Sequence, residues 1–547
     1  MRAPFVARLL ALLLLATPAV VKAQFSFTNI NGQITITGYS GSGSVVTIPS
    51  SINGFSVTSI GTSAFENITN ITYLTIPGGV TNIGVDAFAN CIDLANTIIP
   101  NSVISFGDGA FSGCTSLKSI TIPSLISSIG FYVFANSGLT NITIPSNVTN
   151  IGESAFAGCA DLIHITISQG VLNIGEDTFS DSGLTSVAIP ESITNMGLGS
   201  FFQCYDLTAI NVDANNSIFS STDGVLFNKN GTVLIQYPGG KVGPYLIPQG
   251  VTSIGESFNE CLGLTAVTIP NSVTNVGAAA FYVCLGLASV SLPDNITSIG
   301  DQAFWLCTNL TSVAIPNSVT NIGQGAFYSC SRLASAPIPK NLTSIAADTF
   351  ALTALTNVLI PNGVTSIGSE AFLLCSSLTN VTFPNSLTDI GYTAFANCGM
   401  TNITIPESVT NLEDYAFYGC TNLTGAYFEG NAPSADSTVF SGDSSTIAYF
   451  LSETTGWSEF LAETGVPTAL WIEQTPLVSA SPGVKVGQFG FTINGTSNLV
   501  VMVEACTSLA KPIWSPVATN TLTDGSSYFS DPHWTNYHGR FYRVVSP

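Results

Sequence analysis

Three histidines and twelve cysteines are the side chains of this 547-residue chain best suited to acid–base, nucleophilic or metal chemistry. A general base needs a nucleophile within hydrogen-bond reach. His164 lies at an outward strand position, and no pattern around it supplies such a partner, so it reads as a solvated imidazole. His533 and His538 stand beside Asp531, Trp534 and Tyr537, where loop packing accounts for them. The chain has no Gly-x-Ser-x-Gly, no His-Glu-x-x-His and no phosphate-cradling glycine loop. Carboxylates are numerous, but a sequence does not show two facing one another. No His or Cys pair has the close spacing of a zinc site. The expectation is a protein without catalytic residues, metal or cofactor.

Eleven cysteines share one context, three residues after a phenylalanine: Cys91, Cys114, Cys159, Cys204, Cys261, Cys284, Cys307, Cys330, Cys375, Cys398 and Cys420. Cys506 stands apart. Elsewhere the same position holds Ile68, Ser137, Ser182 or Thr353, so it asks for a small buried side chain rather than an obligatory bridge. A structural ladder of stacked thiols follows. Stacked side chains point the same way, and pairing them would require distortion.

The elements that position these residues emerge from the phenylalanines. Phe65, Phe88, Phe111, Phe134, Phe156, Phe179 and Phe201 recur every 22 or 23 residues, and the series resumes at Phe258, Phe281, Phe304, Phe327, Phe350, Phe372, Phe395 and Phe417. Fifteen units of this period make a solenoid. In the unit 299–316, Leu310, Val313 and Ile315 alternate as the inward side of a short strand, and Pro316, which lacks an N–H, ends it. Gly300 permits a tight turn, and 301–306 has room only for a helical turn that buries Ala303 and Phe304. No unit buries its core alone. Stacked in parallel at about 4.8 Å, fifteen of them build a rod or arc of about 70 Å.

The pattern Leu-x-x-Ile-x-Ile-Pro, Val-Thr-x-Ile-Gly, Ala-Phe-x-x-Cys-x-x-Leu resembles the BspA-like leucine-rich repeat of bacterial surface proteins over roughly residues 45–424. The resemblance implies an exported protein with a concave parallel sheet and, for some relatives, attachment to proteins of a host or neighbouring cell. The expected fold class is a β-rich right-handed solenoid of leucine-rich repeats, each unit a short parallel strand plus a helical turn, with a small C-terminal β domain.

Residues 1–23 read as a signal peptide, with Arg2, Arg8, an apolar run and Val21-Lys22-Ala23 before the cut. No later run of about 18 apolar residues follows to span a membrane. The solenoid occupies 24–424, with an inserted hairpin near 212–247 signalled by Asn230-Gly231 between two apolar runs. Residues 425–473 read as a cap over the open end, and 474–547 as a small β-sandwich-like terminal module. The net charge is −21, and −24 without the leader's three cations. Residues 24–424 hold only Lys118, Lys229, Lys241, Arg332 and Lys340 as cations, which excludes nucleic acid and anionic membrane as partners.

The outward strand positions carry the functional signal. One column reads Thr75, Thr121, Thr143, Thr166, Thr268, Thr382 and Thr404, with Ser291, Asn211, Ala188 and Ala314 elsewhere; beside it run Asn141, Asn357, Asn380, Asn402, Ser119, Ser186, Ser289 and Ser312. Regularly spaced hydroxyls and amides suit an extended polypeptide or glycan, although threonine is also an ordinary solvent-facing strand residue. The candidate ligand-binding residues are Tyr73 with Thr75, Asn141 with Thr143, His164 with Thr166, and Asn228, Lys229 and Asn230 of the hairpin. The function read from this is adhesion to, or binding of, an extracellular protein or glycan by an exported, secreted or cell-surface protein. The alternative is a non-catalytic envelope scaffold attached by its terminal module.

Overall fold

Alternation of buried and exposed residues sets the basic turn of the chain. In the computed structural model, which describes residues 24–471, 477–478, 483–485, 488–494, 500–509, 513–523, 526–537 and 539–545, each turn of the solenoid has three edges. The leader expected over 1–23 lies outside the described residues.

The first edge is the longer strand. Asn141–Ile144 pairs in parallel with His164–Ile167, placing Asn141 opposite His164 and Thr143 opposite Thr166, while Ile142 and Ile144 turn inward and are buried. The second edge is a two-residue strand not expected from the sequence, drawn from the Val-Thr-x-Ile part of the motif. Ser128–Ile129, Asn150–Ile151, Asn173–Ile174 and Asn195–Met196 form one such parallel sheet.

The third edge corrects the expected helical turn. Across 300–307 the backbone alternates: Ala303, Trp305 and Cys307 donate N–H within the unit to Gly300, Gln302 and Phe304, whereas Gln302, Phe304 and Leu306 donate to Gln324, Ala326 and Tyr328 of the next unit at 2.8–2.9 Å. Gln302 and Leu306 reach this geometry with φ of 53° and 57°. A helix would direct every N–H along its own axis; here half of them bond the neighbouring turn. The left-handed residues cost roughly 1–2 kcal/mol each, offset by the inter-unit bonds they aim.

Gly300 also serves differently from expectation. Its φ is not positive; a Cβ there would lie 2.5 Å from the backbone nitrogen of Ala278 in the preceding unit. Close approach of two backbones, not turn freedom, requires glycine.

The core is a column of rings. Phe281, Phe304 and Phe327 stack at 5.2 Å with planes 5° apart, each fully buried and contributing about 1.5–3 kcal/mol by burial. The column outlasts the fifteen units: Phe440 stacks on Phe417 at 5.4 Å, Tyr39 covers Phe65 at 5.4 Å, and Tyr237 packs on Phe258 at 5.1 Å.

At the interruption, Phe219–Thr222, Val225–Asn228 and Val233–Gln236 run antiparallel in succession, and the last joins the short-strand sheet beside Ser253–Ile254. Two cores meet here. Leu226 and Phe219 belong to the amino-terminal one, Val225, Phe227 and Leu234 to the carboxyl-terminal one. Buried on both faces, this strand reads as a continuous apolar run.

At the carboxyl end, Gly425–Phe428, Ile447–Phe450 and Thr468–Leu470 extend the long-strand sheet. The helix Trp457–Thr464 buries Trp457 and Phe460 against Phe428. Beyond it, Gln488–Asn494 pairs antiparallel with Ser526–Asp531, and Val500–Cys506 with Ser515–Thr521 and Phe541–Val545. Phe491, Ile493, Val501, Val503, Leu522 and Phe529 share one core between these strands.

Candidate functional site

Parallel pairing turns the alternation of each strand into columns across the sheet. Asn141, Thr143, His164 and Thr166 are all exposed and form a two-by-two block. Tyr73 and Thr75 are half-buried and lie toward the amino end, with Tyr73 between Val45 and Asn96 and Thr75 between Thr47 and Ile98. Asn380 Nδ2 donates to Asn357 Oδ1 at 2.7 Å, a link that orients neighbouring amides along their column.

The hairpin residues are not part of this face, because their strand joins the short-strand sheet. Asn228 holds its own turn, its Oδ1 accepting from the N–H of Thr232 and Val233 at 2.8 and 3.0 Å. Lys229 Nζ donates to the carbonyls of Ala214 and Asn216. Both side chains are spent on the hairpin itself; Asn230 is exposed.

Two features of the face escaped the sequence reading. Tyr427 and Tyr449 continue the column of Thr404, stack at 4.8 Å, and receive Trp471 edge-on to Tyr427 at 5.3 Å. The paired Ala-Tyr-Phe at 426–428 and 448–450 is the sequence signal that marks them. The second is a cleft of about 400 Å³ between 335–338 and 357–359, lined by Pro337, Ile338, Leu359, Asn380 and Thr382. Pro337 has no N–H to give the ladder, and the long strand is reduced there to a single bridge, Ser312 to Ser335.

The thiols are engaged inside the solenoid. All twelve cysteines are free and buried. Each of the eleven repeat thiols donates to the carbonyl of the ring residue one unit back: Cys114 to Phe88 at 3.2 Å, Cys284 to Phe258 at 2.9 Å, Cys330 to Phe304 at 3.1 Å, and Cys261 to Tyr237 at 3.6 Å. Burial pushes Cys159 and Cys204 up to about 11 and Cys284 up to about 12, which suppresses the nucleophilic thiolate.

Near the carboxyl end, Glu413, Asp414, Asp436 and Glu463 line a cleft of about 720 Å³. Among the described residues, no three His, Cys, Asp or Glu are arranged to hold a metal ion. No helix among them is long and apolar enough to cross a membrane.

Residues 39–163, 127–228, 244–353 and 343–459 match the BspA type leucine rich repeat region. The unmatched interval 229–243 falls on the hairpin. Among solved structures, the chain is similar to a leucine rich cell surface protein from Faecalibacterium prausnitzii, 27% identical over 75% of this chain and 94% of that one, TM-score 0.45. It is also similar to a leucine-rich repeat protein from Bacteroides ovatus, 27% identical over 74% and 93%, TM-score 0.45. The pneumococcal vaccine antigen PcpA is 20% identical over 82% and 96%, TM-score 0.44. No curated protein matches the chain.

Proposed function

The chain belongs to the BspA-type leucine-rich repeat family, and from that premise we propose that it is an exported surface protein that binds an extracellular protein or glycan along the outward face of its long strands. The observation that carries this is the in-register polar block of Asn141, Thr143, His164 and Thr166, with a second column of Thr404, Tyr427 and Tyr449 on the long strands near the carboxyl end. A row of hydroxyls, amides and aromatic edges on a rigid sheet can follow an extended partner residue by residue. Contacts spread over many units make affinity cumulative rather than dependent on one pocket.

The test is a binding screen of residues 24–547 against extracellular-matrix proteins and glycans, beside a chain ending at Trp471, which keeps the cap. For any partner found, Thr143→Lys with Thr166→Lys should weaken binding at least tenfold without changing the thermal midpoint. Binding indifferent to these lysines but lost with residues 472–547 would instead favour a spacer whose terminal strands do the attaching.

A further inference from the structure

The thiol column ends on a residue that is not a cysteine. Phe440 continues the ring column on Phe417, and three residues on, where eleven of the fifteen earlier units carry a thiol, stands Asp443. The local backbone is the same: Asp443 N–H donates to Phe440 at 3.1 Å, as Cys420 N–H donates to Phe417 at 3.3 Å. The preceding thiols reach back 26 and 25 residues, Cys398 to the carbonyl of Phe372 and Cys420 to that of Phe395, both at 3.1 Å. By this register the acceptor for Asp443 is the carbonyl of Phe417.

Asp443 is only 7% exposed, yet neither carboxylate oxygen has a hydrogen-bond partner. A carboxylate can only accept, whereas the eleven thiols at this position, including those of the two units immediately before, all donate to the ring carbonyl one unit back. No lysine, arginine or histidine occurs anywhere in 425–471 to neutralise an anion there. The titratable group facing it is the Cys420 thiol of the unit below, itself pushed up to about 12 by burial and by Asp443. The neighbouring acids Asp436, Glu453, Glu459 and Glu463 are exposed.

We propose that Asp443 is held as a neutral carboxylic acid whose O–H donates to the Phe417 carbonyl, completing the thiol column as its final rung, and that ionisation of this group loosens the carboxyl-terminal cap. Burial pushes the carboxyl up to about 7, well above its ordinary range. The folded chain therefore keeps a proton that the unfolded chain releases near pH 4. This contribution to stability is complete below that range and is lost progressively as pH rises toward and past neutrality.

Hydrogen exchange of the full chain, corrected for intrinsic rates and followed between pH 5 and pH 8, tests this. Protection over 440–450 should fall well over tenfold across that range, while protection over 141–175 changes little. Asp443→Asn and Asp443→Cys each supply a donor that does not ionise in this window, and either should abolish the fall. A wild-type cap equally protected at both pH values would overturn the proposal, and so would an undiminished fall in Asp443→Cys. If Asp443→Asn does not fold, Asp443→Cys, which restores the residue of the other rungs, decides alone.

Discussion

Glu260 Oε1 accepts a 2.9 Å hydrogen bond from the side-chain amide of Gln203, 57 residues earlier and on the other side of the interruption. The second oxygen, Oε2, takes the phenol of Tyr205. These bonds span the interval between Phe201 and Tyr237, where one buried core gives way to the other. Glu260 is therefore a latch between two blocks, each with its own hydrophobic interior.

Replacing Glu260 with Ala should cost only about 1 kcal/mol, the scale of a partly solvated hydrogen bond. Its larger effect should be on cooperativity. We expect urea unfolding followed by probes in the two blocks to show coincident transitions in the wild type and separated ones in Glu260→Ala. Coincident transitions in the variant would mean that the hairpin strands alone couple the cores.

Cys330 offers a direct measure of the thiol rungs, since its Sγ donates to the carbonyl of Phe304 at 3.1 Å. Cys330→Val keeps the bulk but removes the donor and should cost about 1–3 kcal/mol, whereas Cys330→Ser keeps a donor and should cost less. Equal losses in urea melts would reduce the rung to simple packing.

Alkylation at pH 8 examines the same column chemically. With the thiols buried and Cys284 pushed up to about 12, the native chain should take up no label at the eleven repeat positions over a time in which the denatured chain is fully modified. Mass spectrometry of the labelled peptides gives the answer for each position.

Gly300 and Gly255 occupy the same place in their units but have different neighbours. A Cβ on Gly300 would lie 2.5 Å from the Ala278 nitrogen, while a Cβ on Gly255 would meet nothing within 4 Å. Gly300→Ala should destabilise by about 1–3 kcal/mol through overpacking. Gly255→Ala, just beyond the hairpin, should be neutral or stabilising by up to about 1 kcal/mol. Thermal melts of the pair distinguish backbone approach from a conformational requirement.

The repeat was legible because one bulky residue, the ring, recurs every 22 or 23 residues, a period within the range of leucine-rich repeats. The short strand was not, since two residues such as Asn82–Ile83 are too few to show alternation. The turn edge was misread as helical although its left-handed positions often hold Asn, Asp or Ser, as at Ser63, Asn67, Asp86 and Asn90, residues that tolerate positive φ. Phe440 went unnoticed because Val439 replaces the alanine before it and Asp443 replaces the cysteine after it. For the face, strand alternation predicted the exposed threonines. Nothing local shows that Asn228 and Lys229 are committed to their own hairpin, because the groups they bond depend on how that segment folds back.

The N–H bonds of the ring residues along the turn edge point one way: Phe88 donates to Ala110, Phe111 to Val133, Phe304 to Ala326 and Phe395 to Ala416, always toward the following unit. Such an edge has an arrow. Its first unit faces outward with carbonyls and its last with amide hydrogens, so the two ends of the rod are chemically unlike. Units can be added or removed only in the orientation of the rest, and a second chain could prolong this edge only head to tail.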